Sequence, residues 1–202
     1  MKMPLFRAAL VTSALAVVLL PAGSATAAGT IIDDAVGDTW KANYDDATET
    51  ESFEPGGSQV NVDLDKTVVK HKRGAVVVKA KYAELKRNDK ILFLGLKLRT
   101  NEGVKRDAGV HTLGRAKGEA YLADPRSMDD VRCRGLAHEI DYAANTVTLT
   151  VPRGCLSKPS WVQVSVGAFG IEDNETGDVY VDNGHNATSN EPKTWSEKVR
   201  RG

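Results

Sequence analysis

Carboxylates are the side chains in this sequence best placed to do chemistry. Asp33, Asp34 and Asp38 surround a turn at Gly37, and Asp173, Asp178 and Asp182 form a second acidic group late in the chain. Such oxygen donors suit calcium, a hard cation that takes several carboxylate and carbonyl ligands. The run from Asp173 to Asp178 places Gly177 fifth, whereas an EF-hand loop needs glycine sixth. A site built from both groups therefore requires the two parts of the chain to meet at one edge of a fold. Its expected ligands are Asp34, Asp38, Asp178 and Asp182, holding a structural calcium. The competing reading is solvated acidic loops and Asx turns.

Sugar chemistry needs flat aromatic platforms with polar neighbours. Trp40 with Tyr44 is the aromatic pair that stands in a polar stretch, and it is the expected ligand-binding pair. Trp161, Tyr82 and Phe93 fall in apolar runs and are read as core residues. Hydrolytic motifs are missing. His138-Glu139 has no second histidine four residues on, and Gly-x-Ser-x-Gly does not occur. No catalytic residue is assigned, which leaves a triad assembled from distant positions as the enzymatic alternative.

These residues need elements to hold them, and the apolar pattern has a period of two. Val76, Val78, Ala80 and Tyr82 share a face, with Lys79 and Lys81 opposite. Leu92, Leu94, Leu96 and Leu98 alternate in the same way, as do Val162, Val164 and Val166. This is the signature of half-buried strands. Val60, Val62 and Leu64 predict a further strand, continued by Thr67 to His71 after a bend. Residues 33–58 are acidic and turn-rich and are read as a long loop or irregular edge. Helical periodicity of useful length is absent after the N-terminal segment. Short strands with frequent turns predict an all-β antiparallel sandwich, immunoglobulin-like or jelly-roll-like.

The N-terminus reads as an export signal. Lys2 and Arg7 precede an uncharged, mostly apolar run of 13 residues from Ala8 to Leu20, and Ala25-Thr26-Ala27 offers a small-x-small cleavage site. The run is shorter than the ~20 residues of a membrane-spanning helix. The expected organisation is a signal peptide over 1–27, a secreted domain over 28–182 and a polar tail over 183–202 whose end folds back through Trp195 and Val199. No membrane span is expected after cleavage. Losing Lys2 and Arg7 takes the formal charge from zero to −2, so polyelectrolyte character is excluded. Locally, residues 28–65 carry ten acids against one base, and residues 66–117 carry fifteen bases against four acids. The two blocks either neutralise each other across one fold or offer the basic block to an anionic polymer. Sparse aromatics among the basic residues argue against nucleic acid.

Cys133 and Cys155 are an even pair in an exported chain and predict a disulfide. Both stand eleven residues from Ala144, so a hairpin of Ala137–Tyr142 with Thr146–Val151 brings them together. Matching the apolar faces predicts Tyr142 opposite Val147 and Ile140 opposite Leu149.

Several patterns together resemble a known group. They are the opening Asp-x-x-Gly-Asp around Asp34 and Asp38, the strand pair near Val60–His71 and Ala75–Leu85, Val151-Pro152-Arg153-Gly154-Cys155-Leu156, Pro159-Ser160-Trp161-Val162, and the closing Val199-Arg200-Arg201-Gly202. Over most of its length the chain resembles uncharacterised secreted actinobacterial proteins, distantly similar to family-nine carbohydrate-binding modules and DOMON-type domains. The resemblance implies an extracellular β-sandwich and carries no assigned activity. The combined expectation is a secreted, monomeric, non-enzymatic binding or envelope-associated module, with cell-wall polymer or glycan as partner. The alternative is a small secreted hydrolase with dispersed catalytic residues.

Overall fold

The computed structural model describes residues 29–88, 91–113, 115–171, 177–185 and 194–202. The segment expected to be an export signal, Asp173 and the segment 186–193 lie outside them. In chain order the strands are β1 (Gly29–Asp33), β2 (Thr39–Asp45), β3 (Thr50–Gly57), β4 (Leu64–His71), β5 (Ala75–Tyr82), β6 (Ile91–Thr100) and β7 (Lys105–His111). They continue as β8 (Glu119–Ala123), β9 (Ala137–Asp141), β10 (Thr146–Pro152), β11 (Trp161–Ile171), β12 (Val179–Asn183) and β13 (Val199–Arg200). A single 3₁₀ turn at Arg153–Leu156 is the helical element among the described residues. No helix there is long and apolar enough to cross a membrane.

Two antiparallel sheets pack face to face, which is the sandwich expected from the alternation. The smaller runs β1-β4-β5-β10-β9, and the larger runs β3-β2-β12-β11-β6-β7-β8 with β13 on β11. Val69, Val76, Val78, Leu149 and Val151 from the first sheet meet Leu92, Leu94, Leu98, Val164 and Val166 from the second, all essentially without solvent exposure. Burying such side chains stabilises by about 1.5–3 kcal/mol each. The period-two pattern is what commits the opposite set, the odd residues of β6 and β11, to the outer face.

The expected hairpin is present with its register moved by two residues. Val147 faces Ile140 and Leu149 faces His138. The apolar match would have kept Tyr142 in the strand. Instead Asp141 Oδ1 accepts from the Ala143 and Ala144 amides at 3.0 Å each, an Asx turn that ends the strand one residue earlier. Tyr142 swings out and donates to the Ala116 carbonyl at 2.8 Å. A shift by two preserves facing, so Cys133 and Cys155 still meet and form the disulfide, with Cα atoms 5.7 Å apart.

Two other expectations are corrected. Residues 33–58 contain a hairpin, β2–β3, at the edge of the larger sheet. Its acidic, turn-rich composition reflects a strand pair with little core to cover. Val60–Val62 forms a turn around Asn61, whose φ is 68°, and β4 starts only at Leu64. The Asn61 side chain fixes that turn by accepting from the Lys86 amide at 2.7 Å and donating to the Lys86 carbonyl at 3.1 Å.

The closing residues lie on the domain. Val199 is buried and pairs with Val162, and the Ser196 hydroxyl accepts from the Val164 amide at 3.0 Å. Under this segment His71 is fully buried, its Nδ1 donating to the Val199 carbonyl at 3.1 Å. Burial depresses its pKa below the usual 6.5; the Val199 carbonyl acts the other way, while Arg153 and Arg201 add to the depression. The folded chain thus binds fewer protons here than the unfolded chain. The stability due to neutral His71 is complete above about pH 6.5 and is lost as pH falls below it. Denaturant unfolding between pH 7 and pH 5 should show this loss as a difference between the parent and His71→Gln, which keeps a donor for Val199 but does not titrate, so that the carboxylates common to both chains cancel. An unchanged slope in the variant would contradict the assignment.

Candidate ligand groove and acidic cluster

The outer face of the larger sheet carries an unusual row. Cross-strand pairing aligns Trp40 with Val181, Val181 with Phe169, Phe169 with Phe93, and Phe93 with His111. The row crosses five strands on the side away from the core. Phe93 and Phe169 stack with ring centres 4.3 Å apart, and His111 and Tyr121 stand 5.6 and 5.5 Å from Phe93. Phe93 therefore lies on the outer face and not in the core that its apolar run predicts; its neighbours Leu92 and Leu94 take that side. Trp161 is likewise on the outer face, with the Lys198 ammonium 4.8 Å from its ring centre.

Two residues along each strand the row becomes glycine. Gly167 pairs with Gly95, and Gly95 with Gly109. The next row is polar, with Ser165 paired to Lys97 and Lys97 to Asp107. The result is a groove of about 260 Å³ with an aromatic wall, a bare backbone floor and a polar wall. Tyr121 covers Gly109 and Gly167 is buried, so the open part of the floor is Gly95. A Cβ on Gly95 would have nothing nearer than the Gly167 carbonyl at 3.7 Å. Burial pushes the Tyr121 phenol up to about 12, so it stays a neutral donor.

Trp40 and Tyr44 share a strand and, four residues apart, the same outer face. Trp40 is half-buried at the end of the aromatic row, while Tyr44 is 64% exposed opposite Glu51 near the hairpin tip. Four lysines of the basic block, Lys66, Lys70, Lys79 and Lys81, lie on the smaller sheet, while Lys97 and Lys105 lie on the larger. Lys81 pairs with Asp65 at 2.5 Å, and Asp33 stands opposite Lys66. The histidines sit on separate elements: His71 in β4, His111 in β7, His138 in β9 and His185 beyond β12.

The acidic residues gather elsewhere. Asp34, Asp38 and Asp182 each bring one carboxylate oxygen within 4.8 Å of the others. The first two lie in the β1–β2 connection, which passes from the smaller sheet to the larger. Asp182 lies on the inward face of β12 and is 2% exposed. Its Oδ2 accepts from the Leu64 amide at 2.6 Å, and its Oδ1 has no hydrogen-bond partner. Both oxygens of Asp34 and both of Asp38 are buried as well, with no hydrogen-bond partner beyond the local Ala35 and Asp38 amides. Asp178 is not in this group; it forms an ion pair with Lys41 at 3.1 Å.

Asp63, which the acidic pattern did not single out, completes the surroundings. It is fully buried beside the group, accepts from the Gly37 amide at 3.0 and 3.1 Å, and accepts from the Ser58 hydroxyl at 2.5 Å. It thereby pins the turn that presents Asp34 and Asp38. Burial raises the Asp182 pKa to about 8, with the Asp34 charge adding to it. Burial and the Asp38 charge raise Asp34 to about 7. Asp38 and Asp63 are pushed up by burial too. Among the described residues no ion pair reaches any of the four.

No family model matches this chain, and no curated protein matches it.

Proposed function

We propose that the chain is a secreted, non-enzymatic binding module that holds neutral glycan in the groove on the outer face of its larger sheet. The observation that carries this reading is an aromatic row, on the side of the sheet that the core does not need, beside an open glycine floor. Binding sites are mostly apolar concavities with a few placed polar groups. A pyranose ring matches that division, with C–H faces for stacking and hydroxyls at its rim. The edges of the stacked Phe93–Phe169 pair pack against the sugar's C–H surface, while Lys97 and Asp107 reach the hydroxyls. One cation and one anion on that wall favour an uncharged sugar over an anionic polymer. Trp40 extends the platform from the end of the row, and Tyr44 lies beyond its reach.

The test is a screen of the purified chain against a glycan array and insoluble cell-wall polysaccharide. Phe93→Ala should weaken the strongest hit by roughly thirtyfold, the loss of about 2 kcal/mol typical of a central aromatic contact. Gly95→Val should abolish it by filling the floor without disturbing the core. Tyr44→Ala should bind normally. Failure to retain any glycan, or undiminished binding by Phe93→Ala and Gly95→Val, would sink the proposal.

A further inference from the structure

The acidic cluster goes beyond the groove reading and stands independently of it. Water-starved carboxylates are costly unless they are paired or coordinate a metal. Here three converge with five buried oxygens that have no hydrogen-bond partner beyond the adjacent Ala35 and Asp38 amides. Asp182 carries the argument furthest. It is 98% removed from solvent, one oxygen is committed to the Leu64 amide, and the other is unsatisfied within a shell of two more carboxylates. Like charges packed this closely repel unless protons or a cation occupy the space between them. Asp34 and Asp38 are half-buried as residues, in a surface connection, although their carboxylate oxygens are out of solvent.

We infer that Asp34, Asp38 and Asp182 bind one calcium ion, with Asp63 as a positioning residue that holds the Gly37 turn. All the donors are hard oxygens, and no histidine or cysteine joins them, which favours calcium over zinc or copper. Calcium accepts an irregular set of 6–8 oxygens, whereas magnesium demands a near-ideal octahedron. Three side chains from a turn and a strand suit the first better, with water filling the remaining positions. The ion ties the β1–β2 crossover to β12. Because Leu64 at the start of β4 is bound to Asp182, it closes one end of the sandwich across both sheets.

The experiment is calorimetric titration of the chelator-treated, full chain with calcium chloride, paired with thermal unfolding. One calcium should bind per chain. Calcium at a hundredfold over Kd should raise the melting temperature by about 5–10 °C relative to chelator. Magnesium should bind more weakly. Asp38→Asn, at a half-buried position, should fold and lose most of both effects. Asp182→Asn should lose them more completely. No calcium heat in the unmodified chain, tighter binding of magnesium, or a calcium response retained in Asp38→Asn would each overturn the assignment.

Discussion

Replacing both cysteines by serine should cost about 3 kcal/mol of unfolding free energy and lower the melting temperature by about 6–12 °C. The bond between Cys133 and Cys155 spans 22 positions of chain, and closing such a loop removes entropy from the unfolded ensemble. Its enclosed segment includes β9, the edge strand of the smaller sheet, which has a single strand partner in β10. Both cysteines pack against the core without being deeply buried, so serine adds little cost of its own. Denaturant unfolding of Cys133→Ser/Cys155→Ser, with the oxidised parent as reference, measures the difference. A midpoint unchanged within error would mean that the hairpin holds itself without the bond.

Gly109→Ala should be the most damaging of the groove substitutions, although alanine is the smallest change available. A Cβ at that position would lie 2.2 Å from the Leu94 carbonyl oxygen and 2.6 Å from the Tyr121 ring. The ring can turn aside, but the carbonyl belongs to the β6–β7 ladder and cannot move without breaking it. Overpacking of this kind costs typically about 1–3 kcal/mol, and more where backbone must shift. Gly95→Ala, one strand away, meets only ordinary contact and should leave the unfolding midpoint within about 1 kcal/mol of the parent. Denaturant titrations of the two variants side by side would test the distinction. Equal stabilities would show that Gly109 is not under the constraint its neighbours imply.

Much of the architecture was legible in the residues because side chains in strands alternate strictly. Leu92 to Leu98 and Val162 to Val166 announced their buried faces, and the centred cysteines announced the hairpin. The same rule read for the other face would have exposed the groove. Phe93 and Gly95 stand between the leucines, Gly167 and Phe169 stand on either side of Ala168 just after the valines, and their types are odd for a solvated surface. What could not be read was partnership across strands. Only the pairing of β11 with β6 and β12 aligns Phe169 with Phe93 and Val181. The cluster shows the same limit. Asp34, Asp38 and Asp182 were identifiable as acids near turns, but Asp63 needed the Asn61 turn to bring it under Gly37. Asp178 shares its facing with Asp182 by spacing alone, yet the register of β12 with β2 delivers it to Lys41. The β2–β3 hairpin was obscured because an edge pair with polar faces leaves little apolar alternation to detect.

On the proposed function, ligand meets the outer face of the larger sheet. Amide chemical shifts of the isotopically labelled chain, followed while the best glycan from the screen is added, address it directly. The shifting amides should centre on Phe93, Gly95, Gly167 and Phe169 in β6 and β11, fading toward Trp40 and absent at Tyr44. Shifts confined to the lysine-bearing face of β4 and β5, or to the tip of the β2–β3 hairpin, would contradict it.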